Sequence, residues 1–298
     1  MPSTREIRRR ISSIKNIAQI TRALQMVASS KMRRAQERVE QARPYAEQLR
    51  ALVSRLSRAS GVDSGSGAVL MAQRPVRNIG YVLITPDRGM CGALPSNINR
   101  RAASSVQEVQ RELREQGAES ASVDFVAVGR KGRDFVVRSP YNLLAEFVNY
   151  GDRPSLNDAS AIAQVVMDAF IKGDVDVVYL VYARFVNTAT QVPTVVKLLP
   201  VEPPAEEEDE KKSVEYIYEP DPQSLFEALL PRYVDLQVYR GLLEALASQW
   251  SAQMIAMKNA TDSAKELLED LNLTYNKARQ ASITTQILEV VTGAEALG

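Results

Sequence analysis

From Ser3 to Ser60 the chain contains no glycine and a single proline, Pro44. Few folds accommodate so long a stretch without a breaker, and a continuous helix is the simplest. Ile7, Ile11, Ile14, Ile17, Ile20, Leu24 and Val27 recur at steps of three or four, which predicts one apolar stripe. Ser3 followed by Glu6 has the spacing of a capping box at its start. At about 1.5 Å per residue, roughly 55 residues would extend about 80 Å. Pro44 is expected to kink this helix rather than end it, because helix formers continue to Leu56.

The other end has the same character. No proline follows Pro231, and Gly241 is the only glycine between there and Gly293. Ser248, Ala252, Ala256, Ala260 and Ala264 recur every four residues, a strip of small side chains that admits a close neighbour. Helices of this length exceed what a globular core covers, so the two are expected to lie against each other. Joined through a middle domain, they would pair antiparallel. A bundle folded back on itself would need loop signals that neither segment carries.

Between the ends, strand and helix patterns alternate. Strands are predicted at 79–85, 123–129, 175–186 and 191–200, the last two as a hairpin, with helices at 96–116 and 155–172. The fold class is therefore α/β: a long antiparallel coiled coil of the N- and C-terminal helices plus a Rossmann-like middle domain. The expected division is 1–60 for the first helix, 76–200 for the α/β domain, 201–220 for an acidic loop and 221–298 for the last helix.

Charge is distributed unevenly. Residues 1 to 58 carry 14 Lys/Arg against 4 Asp/Glu, a local balance of +10, and residues 202 to 227 carry 10 acids against two lysines, −8. The net charge of only +1 gives no global field to recruit nucleic acid or anionic lipid. No apolar run approaches the roughly 18 residues of a membrane span. Histidine is absent, which removes imidazole-based nucleophilic triads and imidazole zinc sites. The lone Cys91 excludes an intrachain disulfide.

An α/β sheet raises the question of nucleotide binding. The turn after the first strand, "TPDRGMCGALPSN", has neither the dinucleotide glycine pattern nor the phosphate-loop lysine. Gly89 and Gly92 are read as shaping a tight turn before a helix capped by Ser96, and Cys91 as an inert small residue. "GRKGR" (129–133) is read as a solvated turn in preference to a phosphate site. Trp250 is read as a packing residue, and Glu206 to Glu210 as a solvated run unsuited to holding a metal. No cofactor is expected.

At "REIRRRISSIKNIAQITRALQMVASSKMRRAQ" the chain resembles the N-terminal helix of the gamma subunits of F-type ATP synthases. "ITPDRGMCGALPSN", "YEPDPQSLFEALLPRYV", "MIAMKNATDSA" and "YNKARQASITTQILEVVTGAEAL" are similar to further segments of that family, in order. Where the family signature usually carries glutamate, this chain has Gln286. The chain also lacks room for the cysteine-bearing insert of chloroplast relatives.

The resemblance implies a rotor shaft and no catalytic site of its own. The terminal helices would turn inside a ring of three alpha and three beta subunits. The middle domain would bind epsilon and stand on the membrane c-ring, with no nucleotide bound and the whole at the cytoplasmic face of the bacterial plasma membrane. By the same resemblance Lys31, Arg33, Arg34 and Arg38 would face acidic beta-subunit loops, with Leu24 packed on the C-terminal helix nearby. Arg279, Gln280, Thr284 and Leu288 would meet beta at the tip. Glu206, Glu207, Glu208, Asp209 and Glu210, with Tyr216 and Tyr218, would approach the c-ring or epsilon. A nucleic-acid-binding coiled coil would interleave aromatics with its cations, yet none precedes Tyr45. A non-motor scaffold is opposed only by the family motifs.

Overall fold

The structure is a computed structural model that describes residues 3–59, 69–115, 121–202, 219 and 221–295. The chain forms two compact units, one of residues 1–30 with 253–298 and one of residues 31–252. Both terminal helices, α1 (Thr4–Ala59) and α5 (Pro222–Glu295), contribute to each unit.

Within the larger unit, a five-stranded sheet has the order β3-β2-β1-β4-β5. Its strands are β1 (Asn78–Ile84), β2 (Ser122–Val128), β3 (Asn142–Phe147), β4 (Val177–Phe185) and β5 (Gln191–Leu199). All pairings are parallel except β4 with β5. β1 is buried along almost its whole length, which explains its unbroken apolar run. α2 (Leu94–Glu115) and α3 (Arg130–Val137) cover one face, with Ile98, Val106 and Val136 against Tyr81, Phe125 and Val181. α4 (Leu156–Lys172) covers the other, together with this unit's parts of α1 and α5. There Leu49, Val53 and Leu56 of α1 share a cluster with Phe226, Leu230 and Val234 of α5. Ser155 and Asp158 form a reciprocal cap on α4, and Gly173 ends it in the left-handed region.

β1, β2, β4 and β5 and helices α2 and α4 lie within about two residues of the sequence expectation. α3 and β3 were not expected: "GRKGR" opens a helix instead of a solvated turn. α2 begins at Leu94, so Ser96 sits in its first turn rather than capping it. The positive φ angles of the preceding turn fall at Met90 and Gly92, not at Gly89.

In the smaller unit the two helices run antiparallel. The Arg8 guanidinium donates to the Tyr275 hydroxyl at 2.8 Å, and the Thr21 and Thr261 hydroxyls meet at 2.8 Å. Both expected halves of the Ser3–Glu6 capping box form. The seam differs from the expected stripe. Ile7, Ile11, Ile14, Ala18, Thr21, Gln25 and Ala28 are buried or half-buried, alternating steps of four and three, whereas Ile17, Ile20 and Val27 are exposed. A seven-residue repeat keeps a seam facing its partner, and the apolar trace leaves that repeat one position early, at Ile17. Ala18 and Ala28 take the inner positions because small side chains bring the backbones together. Met257, Thr261, Ala264, Leu268, Leu271, Tyr275 and Ala278 provide the facing seam on α5.

Candidate functional site

The position where a doubly wound sheet usually holds a ligand lies beyond the C-terminal ends of its strands, at the switch between β1 and β4. Here α5 runs close over the sheet beside that position. Gly241 brings α5 so near the sheet that an added Cβ would stand 3.1 Å from Leu180 and 3.2 Å from Ile84. Ser248 donates to the Ala183 carbonyl at 2.9 Å and Ser251 to that of Thr188 at 2.6 Å, pinning α5 along the end of β4.

The start of α3 is occupied as well. Its Arg130 amide donates to Asp87, its Lys131 amide to the Pro86 carbonyl, and its Gly132 amide to the Thr85 hydroxyl at 2.7 Å. A phosphate cradle would use those same amides, so the backbone of "GRKGR" has no free donors at the helix start to offer one. Gly129 has φ 95°, and an added Cβ would lie 1.9 Å from the Thr85 carbonyl oxygen, so the close β1–α3 crossing requires glycine. Cys91 is buried, and desolvation pushes its thiol pKa up, the reverse of what a reactive thiolate needs.

The remaining sites expected from sequence are surfaces. In the smaller unit, Leu24 is half-buried, while Ile20 is 59% and Met26 61% exposed. Beyond Ala278 the facing helix has ended, and every residue from Arg279 to Ala294 is exposed. That span contains Arg279, Gln280, Thr284 and Leu288, and also Ile283, Ile287, Val290 and Val291, with Val290 72% exposed. Thr284, Thr285 and Thr292 donate to the carbonyls four residues earlier, so their hydroxyls are satisfied without a partner chain.

In the larger unit, Arg33 and Arg34 are exposed. Lys31 is not simply presented outward: it pairs with Asp152 and stands 4.4 Å from the centre of the Trp250 ring. Arg38 donates to the backbone carbonyl of the same Asp152 at 3.0 Å. Sequence reasoning missed Asp152, since nothing local links it to a helix more than a hundred residues earlier. It also missed the exposed apolar face of α1, which the alternation of four and three through Ala18, Thr21 and Ala28 could have disclosed. Glu206 to Glu210, Tyr216 and Tyr218 lie outside the described residues.

The sequence model of the family described as ATP synthase matches residues 3–297. An ATP synthase gamma chain of Roseiflexus castenholzii is 48% identical, covering 100% of this chain and 99% of the relative. One of Dehalococcoides mccartyi is 45% identical, with 100% of both covered. Among solved structures, a chain of the Tetrahymena thermophila mitochondrial ATP synthase central stalk and c-ring is 27% identical, with a TM-score of 0.57. It covers 81% of this chain and 99% of its own. A chain of the Euglena gracilis mitochondrial ATP synthase shares the fold at a TM-score of 0.68, covering 99% of this chain and 94% of its own at 21% identity. With a family match over nearly its whole length and full-length relatives near half identity, the chain belongs to the ATP synthase gamma chains.

Proposed function

We propose that this chain is the central rotor shaft of an F-type ATP synthase, carrying rotation of the c-ring to the catalytic sites of the beta subunits. The observation that supports this most is the run from Arg279 to Ala294, a helical segment without a facing helix that exposes Ile283, Ile287, Leu288, Val290 and Val291. So much apolar surface on one helix end is costly in water and fits a sleeve supplied by other subunits. Three alpha and three beta subunits form that sleeve. Arg279 reaches a beta carboxylate through its donor fork, Gln280 and Thr284 make neighbouring polar contacts, and Leu288 enters the apolar wall.

Arg33 and Arg34 face acidic loops of beta where the helices leave the ring, with Leu24 and Lys31 bordering that contact. Glu206, Glu207, Glu208, Asp209 and Glu210, with Tyr216 and Tyr218, meet the c-ring or epsilon. The chain has no catalytic or nucleotide site of its own; the engagement of the first α3 amides by Thr85, Pro86 and Asp87 supports that reading. It works as a peripheral subunit at the cytoplasmic face of the plasma membrane, and no helix among the described residues is long and apolar enough to cross it.

The deciding experiment is expression with the alpha and beta chains of the same operon type, followed by purification and single-particle rotation. A six-subunit ring that retains this chain and rotates it during ATP hydrolysis is expected. A ring that assembles and turns over without retaining it would overturn the assignment.

A further inference from the structure

The short loop after β3 is tied down at both ends of its reach. On the sheet side, Asp87 accepts from the amides of Arg130 and Asn149, one through each carboxylate oxygen, both at 3.0 Å. The Arg130 guanidinium donates to the Asn149 side chain at 2.9 Å, and the Tyr150 hydroxyl donates to the Thr85 carbonyl at 3.2 Å. Desolvation and then the Asp87 charge push the Tyr150 phenol pKa up, so it remains a donor. Asn149 and Gly151 both take positive φ, which turns the loop sharply and sends Asp152 outward. On the helix side, the Asp152 carboxylate receives Lys31 and its backbone carbonyl receives Arg38, two turns further along α1, and Lys31 lies over Trp250 of α5.

We propose that the 149–152 loop is a mechanical bracket that fastens both terminal helices to the α/β body through Asp152. The strand ends that would cradle a ligand in a nucleotide-binding sheet are spent here on anchoring this loop. Lys31 then serves within its own chain, as the cation that joins α1, α5 and the loop at one point. Its purpose, to turn the helices whenever the body turns, rests on the rotor reading above.

Amide hydrogen exchange on the full chain tests the bracket without assuming rotation. Asp152→Ala, and the isosteric Asp152→Asn in case the alanine variant folds poorly, remove the Lys31 ion pair but keep the backbone carbonyl that Arg38 uses. Exchange should therefore rise around Lys31 and at 247–252 by roughly two- to fivefold, the range of a partly exposed pair. Exchange in β1 should stay unchanged. In about 1 M salt the difference from the native chain should shrink, since the ion pair is screened. Unchanged exchange in both variants, or a rise spread equally over β1, would overturn the proposal. In the assembled synthase, Asp152→Ala should also lower ions pumped per ATP hydrolysed. Looser helices with undiminished pumping would refute the torque-carrying role and leave the rotor assignment standing, whereas a ring that fails to retain the native chain would refute that assignment instead.

Discussion

α5 is one helix with two characters. From Gly241 to Trp250 nearly every position is buried, whichever side it faces, because β4, α4 and α1 of the larger unit surround it. From Arg279 to Ala294 no position is buried, although Ile283, Ile287 and Leu288 are as apolar as the leucines upstream. Composition therefore does not distinguish the halves; the presence of a surrounding structure does. The first half is complete within this chain; the second keeps open the apolar surface that the proposed sleeve would cover.

Variants along α5 can break or sharpen that contrast, and their effects on the free chain should diminish toward the tip. Phe226→Ala removes a wholly buried ring at the base and should cost about 3–5 kcal/mol in denaturant unfolding of the full chain. A loss under about 1 kcal/mol would mean that the base repacks freely. Next comes alkaline pH. Burial, then the nearby Glu244 charge, pushes the Tyr182 phenol up to about 12. The unfolded phenol ionises first, so stability is full below pH 10 and declines as pH rises towards 12. The Tyr182 share of the decline is on the order of 2 kcal/mol, and Tyr182→Phe should make the decline shallower by that share, with the rest left to other buried phenols such as Tyr150.

Midway, Thr21→Val deletes one hydroxyl of the Thr21–Thr261 pair. Because Thr261 also donates to the Met257 carbonyl at 2.8 Å, the cost should be only about 0.5–1.5 kcal/mol. At the tip, Arg279→Ala and Leu288→Lys should each change the stability of the free chain by less than about 0.5 kcal/mol. In the assembled complex both should lower ATP-driven pumping. Tip variants that destabilise the free chain as much as Phe226→Ala would erase the contrast between the halves.

Much of this was readable from local chemistry. The Ser3–Glu6 cap, the buried run of β1 and the absence of glycine from α1 each act over a few residues, so the sequence displays them directly. Pro44 lies within α1, as expected from the helix formers that follow it. What escaped depends on partners distant in sequence. α3 begins at Arg130 after Gly129, which supplies no side-chain cap, and its amides are satisfied by Thr85, Pro86 and Asp87, more than forty residues earlier. Ile17 and Ile20 continued an apolar stripe on paper, yet the seam chose Ala18 and Thr21 because close helix approach outweighed the area those isoleucines would bury. Asp152 was missed for the same reason as Asp87: a carboxylate's partner cannot be inferred from its neighbours.

The Thr21–Thr261 contact has one more consequence. Seams built of alanine and leucine are permissive, and sliding one helix by a heptad would replace apolar contacts with others nearly as good. The hydroxyl pair is not permissive. After a slip each threonine would face an apolar side chain across the seam, and the mutual bond would be lost. A weak interaction of this kind adds little to stability, but it selects one alignment of two long helices over its near-equivalents, as a single polar seam residue does in other coiled coils. In a shaft whose ends must reach fixed places, correct length is an alignment problem, and two small hydroxyls act as its index mark.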